Sequence, residues 1–235
     1  MKSIEFFPKF NALNLDLINV DYHLHSTWTD GKNTISEIIE NAKRSNLHSI
    51  AITDHIRRES NYFYDYKKEI NQLNNQNEIN IYVGFEAKIA DFFGNIDVKK
   101  EVVCEADIAI ASVHRYPLGS KLYNASEFKR EIAQEIELEL SLAALKKGGF
   151  NVLGHPGGMS MTYYQEFPSN MYEEIIMECV KNEIAFDLNG RYQAGVLNIL
   201  LPLLQKYNPY ISIGTDSHNI HPMGKWNRQL GQIIL

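Results

Sequence analysis

The sequence predicts one α/β domain built as a distorted β/α barrel of seven strands. Three observations lead to this fold class: the length, the composition and the order of the predicted elements. A chain of 235 residues suits one large core, and a composition of 44% hydrophobic and 22% charged residues is typical of a globular protein. Short β-rich runs alternate with helical patterns, and no linker rich in Pro, Gly or Ser separates them. We therefore expect a single domain over residues 1–235, and a barrel in preference to an open doubly wound sheet.

The first half of the chain alternates strand and helix. Hydrophobic periodicity predicts strands over residues 18–23, 48–53 and 79–85, and helices over residues 34–45 and 62–72. Thr34 and Glu37 have the T-x-x-E spacing of a capping box, in which each side chain binds an unpaired backbone amide of the first turn. The first of these helices is therefore expected to begin at Thr34.

The second half repeats the alternation. Four further strands are predicted over residues 106–113, 150–154, 184–188 and 210–214, and helices over residues 126–147, 171–181 and 195–207. Gly148 and Gly149 are suited to end the long helix. The total of seven strands is the basis for the seven-stranded barrel.

The net charge and the hydrophobic pattern limit the classes of function that fit the sequence. The formal net charge of −6 argues against an extended surface for nucleic acid or anionic membrane, and favours a small or locally bound substrate. No apolar run is long enough for a signal-peptide core or a membrane span. Cys104 and Cys179 are isolated, as expected in a reducing compartment. We expect a cytoplasmic protein; its oligomeric state is left open.

Residue types that bind metals recur at the predicted strand ends. They are His23 and His25, Asp54 and His55, Glu86, His114, His155, and Asp216 with His218. The carboxyl ends of the strands of a β/α barrel share one rim, so these residues are expected to converge. Without a cation, six clustered imidazoles would bury repelling or unsatisfied polar groups. The donor set has no thiolate, which predicts a site for zinc, manganese or iron.

Six segments along the chain resemble the successive motifs of the PHP (polymerase and histidinol phosphatase) family. In order they read DYHLHSTWTDG, AITDH, GFEAKI, ASVHR, LGHPGG and GTDSH, and they span Asp21 to His218. The resemblance implies a distorted (β/α)7 barrel with a trinuclear metal site that hydrolyses phosphate esters.

Position by position, the resemblance also implies a division of ligands among two to three divalent ions. The first ion takes His23, His25, Glu86 and Asp216; Glu86 bridges to a second held by His114 and His155; Asp30, His55 and His218 hold the third. Glu86, Asp216 and His218 are the residues expected to contribute to catalysis as well as to metal binding.

Three local features complete the predicted site. Asp54 is expected either to orient a ligand histidine through its second ring nitrogen or to cap a loop. Pro156 favours extended backbone at His155. Arg115 and Arg191 follow strand ends and are the candidate phosphate-binding cations.

The function predicted from these residues is hydrolysis of a small phosphomonoester, histidinol-phosphatase-like, by a metal-activated hydroxide. Two alternatives stay open. A phosphodiesterase or exonuclease would use the same metals on a nucleotide end. A noncatalytic metal-binding regulatory module would be recognised by the loss of ligands, and this sequence has lost none.

Overall fold

The structure, a computed structural model, describes residues 1–221 and 223–234, so the domain prediction at Pro222 and Leu235 lies outside the described residues. Nine strands lie within these described residues: β1 Val20–Leu24, β2 Ser49–Ile52, β3 Asn80–Lys88, β4 Ile108–Ser112, β5 Tyr116–Leu118, β6 Lys121–Tyr123, β7 Val152–Leu153, β8 Ala185–Asn189 and β9 Ile211–Gly214. The helices are α1 Leu15–Ile18, α2 Ile35–Arg44, α3 Phe63–Asn74, α4 Lys100–Glu105, α5 Arg130–Lys147, α6 Gly158–Tyr164, α7 Ser169–Asn182, α8 Gly190–Gln193, α9 Leu197–Tyr207 and α10 Lys225–Ile234.

Seven of the strands form one parallel sheet that curls into a nearly closed barrel. Their order is β1-β2-β3-β4-β7-β8-β9, and every neighbouring pair is parallel. The two edges meet just beyond β9, where the backbone N–H of His25 donates to the carbonyl of Ser217 at 3.0 Å. The register of β1 on β2 shifts between Asp21 and Leu24. The distorted seven-stranded barrel predicted from the sequence is confirmed.

A buried carboxylate reinforces the junction between the first and last strands. Asp21 accepts hydrogen bonds from the backbone N–H of Thr215 at 3.1 Å, from its hydroxyl at 2.6 Å, and from the backbone N–H of His23 at 3.3 Å. Burial raises the pKa of Asp21 to about 7, against the opposing effect of the hydrogen bonds from Thr215. The side chain therefore ties β1 to the segment after β9, directly beneath the ligand residues of both.

The helices cover the barrel with amphipathic faces. In α2 the buried residues are Ile35, Ile38, Ile39 and Ala42, which is the spacing of one helical face. The predicted capping box is present: Glu37 N–H donates to the Thr34 hydroxyl at 3.3 Å, and Thr34 N–H donates to the Glu37 carboxylate at 2.8 Å. Within the described residues, no helix is long and apolar enough to cross a membrane.

Several elements differ from the sequence prediction. The hairpin β5–β6 and helices α1, α4, α6, α8 and α10 were not predicted; each of these strands and helices except α10 has seven residues or fewer, too few to give a clear periodic pattern. The long helix begins at Arg130 instead of residue 126, because Asn124 and Glu127 cap a separate 3₁₀ turn, Ala125–Glu127. The hairpin and α6 lie beside the site described below.

The Asp21 contacts generate a stability prediction. Asp21→Ala leaves two buried backbone amides without an acceptor, and should cost at least about 2 kcal/mol because each unsatisfied buried group costs about 1–3 kcal/mol. Asp21→Asn keeps an acceptor oxygen and resembles the protonated acid, so it should lose less than half as much. Urea unfolding of the metal-free variants measures both. Equal losses would show that the carboxyl is not acting as a hydrogen-bond acceptor.

Candidate metal centre

The barrel brings all nine predicted ligand residues to one rim. His23 lies within β1 and His25 directly follows it, while His55, His114 and His155 follow β2, β4 and β7. Glu86 lies inside β3, which extends two residues beyond it. Asp216 and His218 follow β9, and Asp30 reaches the rim on the loop after β1. Parallel strands that end together explain how residues up to about 190 positions apart in sequence become neighbours.

The carboxylate of Glu86 is the centre of the cluster. Five histidine nitrogens surround its two oxygens. The distances from Oε1 are 3.0 Å to His114 Nε2, 3.0 Å to His155 Nε2 and 3.3 Å to His23 Nε2. The distances from Oε2 are 3.1 Å to His55 Nδ1 and 3.5 Å to His25 Nε2. Glu86 thus touches members of each of the three predicted ligand sets.

Three groups of candidate donor atoms, each with all atoms within 4.8 Å of one another, occur in the described chain. The first consists of His23, His25, Glu86 and Asp216, which is the predicted first set and is entirely buried. The second joins Asp30, His55 and His218, the predicted third set, to His25. The third joins Glu86 and His114 to His55. The predicted partner His155 is not in that group, although its Nε2 lies 3.0 Å from Glu86 Oε1, as His114 Nε2 does.

The spacing and burial of the donor atoms fit a shared cation better than they fit hydrogen bonds among these side chains. His23 Nε2, both ring nitrogens of His25 and Glu86 Oε2 are buried, and none has a hydrogen-bond partner among the residues described. His25 Nε2 nevertheless lies 3.0 Å from Asp216 Oδ1. Ligands bound about 2.1 Å from one ion are themselves roughly 3–3.5 Å apart, so this spacing matches atoms that share a metal. Buried polar groups without partners are otherwise rare and costly.

The pKa values of the clustered carboxylates and of His23 are shifted by the same close packing of opposite charges. Burial would raise the pKa of Glu86, but the neighbouring His114 and His23 hold it well below its usual range. Burial would lower the pKa of His23, but Glu86 and then Asp187 raise it well above its usual range. For Asp216, the effect of burial is likewise outweighed by the nearby imidazoles of His25 and His23, so its pKa is lowered. The carboxylates thus require positive charge at the imidazoles, which a divalent ion can supply in place of protons.

Asp187 is a site residue that the sequence analysis missed. Its Oδ2 lies 2.9 Å from His23 Nδ1 and accepts hydrogen bonds from His155 N–H and Asn189 Nδ2, each at 3.0 Å. With Nδ1 engaged, His23 directs Nε2 into the cluster. The available signal was an aspartate inside the apolar strand AFDLN, where a charged residue is unexpected.

Asp54 has the loop-capping role and not the histidine-orienting one. It accepts hydrogen bonds from the backbone N–H of Ser26 at 3.0 Å, from the Ser26 hydroxyl at 2.7 Å, and from the Thr29 hydroxyl. These contacts shape the loop that carries Asp30. Gly31 closes the same loop, since a Cβ atom there would lie 2.2 Å from the carbonyl oxygen of His25.

The expectation of extended backbone at His155 is wrong. Its φ is 27°, on the left-handed side, as is that of Asp216 at 49°. His155 N–H is bonded to Asp187, and its carbonyl accepts from Gly158 N–H at 2.8 Å, so the residue opens a tight turn into α6. Two strained residues among nine candidate ligands suggest that the surrounding hydrogen bonds hold the rim in shape.

A cleft of about 560 Å³ opens over the cluster. Both predicted phosphate-binding cations line it, together with Arg57, Lys88 and Tyr163. Arg191 donates to Asp216 Oδ2 at 2.9 Å, and the Tyr192 hydroxyl donates to the same oxygen at 2.8 Å. Arg191 is therefore fixed against a candidate ligand, while Arg115 extends along the cleft without such a contact.

The chain is similar in sequence to proteins of known family. The sequence matches the PHP domain family over residues 21–191. A probable phosphatase of Caldicellulosiruptor bescii is 26% identical over 214 residues, which are 88% of this chain and 83% of that protein. The DNA polymerase/3'-5' exonuclease PolX of Bacillus subtilis is 28% identical over 219 residues, 88% of this chain but 35% of that protein.

A solved structure shares the fold. The histidinol phosphate phosphatase of Lactococcus lactis, complexed with zinc, L-histidinol and phosphate, matches with a TM-score of 0.71 at 21% identity. The match covers 92% of each chain. The architecture of the barrel is therefore common to both proteins.

The Asp187 contacts generate a prediction about metal affinity. Asp187→Ala should weaken metal binding about 10–100-fold, the usual effect of removing the carboxylate behind a ligand histidine. Asp187→Asn keeps the hydrogen-bond acceptor and should have a smaller effect. Competition with a chromophoric chelator measures the affinity. Unchanged affinity in both variants would show that His23 does not depend on Asp187 for its orientation toward a metal.

Proposed function

The chain belongs to the PHP domain family, and on that premise we propose that it hydrolyses phosphomonoesters of small molecules at a centre of two to three divalent transition-metal ions. Its enzyme class is that of a metal-dependent phosphatase, as the probable phosphatases among its relatives indicate. The observation that carries the proposal is the carboxylate of Glu86 with five imidazole nitrogens around it, two of which, His23 Nε2 and His25 Nε2, are buried and have no hydrogen-bond partner among the described residues.

We assign the ligands as the residue spacing and the family resemblance indicate. His23, His25, Glu86 and Asp216 hold one ion; His114 and His155 share Glu86 for a second; Asp30, His55 and His218 hold a third. The Asp30 side chain is 52% exposed, so the third position is the most accessible to solvent and to exchange. The mixture of imidazole and carboxylate donors suits zinc, manganese or iron.

Bound ions supply Lewis-acid chemistry, which acidifies water for attack on phosphorus and neutralises phosphate charge. The residues of the chain position the reactants. Glu86 and Asp216 hold the donor cluster together from opposite strands of the barrel, and His218, at the exposed side, faces the cleft. Arg191 uses one nitrogen on Asp216 and keeps other N–H groups free for a phosphate oxygen. Arg115 is the second proposed phosphate-binding cation.

A diesterase acting on nucleotide ends is the second candidate, favoured by the similarity to the exonuclease-containing PolX. The cleft has a volume of only about 560 Å³, and the chain carries a net charge of −6, so an extended nucleic-acid path is not expected. A regulatory module without catalysis has less support, because every candidate ligand is retained and all of them converge. A cytoplasmic location stays a prediction.

Substrate class and metal dependence are tested together. Purified protein loaded with zinc, manganese or iron should release phosphate from monoesters such as glycerol 2-phosphate, histidinol phosphate and nucleoside monophosphates. Chelation should abolish the activity and added metal should restore it. Faster hydrolysis of dinucleotides or oligonucleotide ends would favour the diesterase. Activity that persists in verified metal-free protein would contradict the proposed centre.

The role of Glu86 gives a mutational prediction. Glu86→Gln keeps the size but removes the charge that the imidazoles surround, so turnover should fall at least about 100-fold and metal content should fall by more than one position at once. Glu101→Gln, at an exposed position on α4, is the matched control. Elemental analysis and phosphate release measure the two effects. Full metal content with normal turnover would assign Glu86 to packing alone.

A further inference from the structure

One wall of the cleft carries a row of cations. Arg57, Lys88 and Arg115 all line it, and they follow His55, Glu86 and His114 by two, two and one residues. Lys88 is the last residue of β3, whereas Arg57 and Arg115 lie in the segments that follow β2 and β4; these three strands are consecutive neighbours in the sheet. The barrel therefore places three positive side chains side by side along the rim, next to the metal-ligand cluster.

Two of these cations have no carboxylate partner. Lys88 is paired with Asp97 at 3.1 Å, and on the opposite side of the cleft Arg191 is paired with Asp216 at 2.9 Å. No carboxylate of the described chain lies within 4.0 Å of the Arg57 or Arg115 guanidinium. The chain has 29 acidic residues against 23 Lys and Arg, so acids are in excess overall. At Arg57 and Arg115, positive charge is therefore in local excess, although acidic residues outnumber basic ones in the whole chain.

The acids that line the cleft are already engaged. Asp30 contacts His55 and His218, Glu86 contacts the imidazole cluster, and Asp216 contacts His25 and Arg191. Among the lining residues that the structure describes, no other carboxylate is present. Beyond the reacting phosphate, a substrate with an ammonium group would therefore meet cations and uncharged side chains, such as those of Leu122, Thr162 and Tyr163, but no unengaged carboxylate of the described residues.

The cleft also has room beyond the phosphate. Its volume is about 560 Å³, and Leu122 and Tyr163 form part of its lining with 53% and 43% of their surface exposed. Leu122 comes from the hairpin β5–β6 and Tyr163 from α6. The cleft can thus hold an organic body as well as a phosphate group.

From these observations we infer that the preferred substrate is a phosphomonoester with a second anionic group, a carboxylate or a second phosphate, which Arg57 binds. The inference rests on the proposed phosphatase function and defines its substrate class. Arg191 and Arg115 serve the reacting phosphate, which leaves Arg57 as the unpaired cation of the wall. The planar guanidinium of Arg57 can donate two parallel hydrogen bonds to a carboxylate or to a phosphate, so both anions would be recognised by the same chemistry. Arg57 is a specificity-determining residue in this assignment.

Matched substrate pairs test the inference. The carboxylate arm compares 2-phosphoglycerate with glycerol 2-phosphate, which has a hydroxymethyl group in place of the carboxylate. The phosphate arm compares fructose 1,6-bisphosphate with fructose 6-phosphate. In at least one of these two comparisons, kcat/KM of the metal-loaded enzyme should be at least tenfold higher for the ester that carries the second anionic group. L-histidinol phosphate, which carries an ammonium group, should be hydrolysed less efficiently than glycerol 2-phosphate.

The variant Arg57→Ala should lower the preference for the second anion at least tenfold, mainly through KM, since a hydrogen-bonded ionic contact of this kind is worth about that factor or more. Arg58→Ala is the matched control, because Arg58 is also exposed but does not line the cleft. It should keep the preference of the parent enzyme. The arm in which Arg57→Ala acts identifies the anion as carboxylate or phosphate.

The outcomes separate the two proposals. Hydrolysis of glycerol 2-phosphate without any preference for a second anion, or equal effects of Arg57→Ala and Arg58→Ala, would overturn the inference and leave the phosphatase function standing. A preference for L-histidinol phosphate would do the same. Failure of the folded, metal-loaded protein to hydrolyse any of these esters would overturn the phosphatase function itself, and with it the inference.

Discussion

The rim of this barrel depends on one buried carboxylate, that of Glu86. A charged carboxylate inside a protein needs compensating charge, and here imidazoles from the ends of several strands supply it or share a cation with it. The strands must end at a common level for those imidazoles to reach the same two oxygens. The parallel barrel provides that level, and it is the reason why this fold and this cluster occur together.

A second layer of buried acids holds the cluster in place. Asp21 ties β1 to the segment after β9, Asp187 fixes His23 and the backbone of His155, and Asp54 shapes the loop that carries Asp30. Each accepts at least one backbone N–H, which offsets part of the cost of burying a polar group. His155 has a positive φ value and its backbone N–H is bonded to Asp187, so this candidate ligand is positioned at the expense of local backbone strain.

The charge of the cleft is independent of the charge of the chain. The protein is acidic overall, yet beyond the ligand cluster its cleft presents arginine and lysine on one wall and apolar side chains beside them. Such an arrangement concentrates phosphate esters near the centre while the remaining surface stays negative. In the proposed assignment the two tasks are separate: the ligand cluster with Arg191 and Arg115 binds the reacting phosphate, whereas Arg57 binds the second anionic group.

The sequence by itself determined the barrel, its seven strands and the nine residues that converge, because strand periodicity and the shared rim of parallel strands are local and topological properties that sequence order records. It did not determine which acid supports which histidine. Asp54 and Asp187 are both aspartates near strand ends, and only the packing of β8 beside β7 and β9, with His23 on β1 within reach, brings Asp187 and not Asp54 to the histidine ring. The turn at His155 was likewise decided by hydrogen bonds to residues distant in sequence, which outweighed the local preference set by Pro156. The cation row of Arg57, Lys88 and Arg115 exists only in three dimensions, since its members lie at or after the ends of three separate strands and line one cleft when the sheet forms.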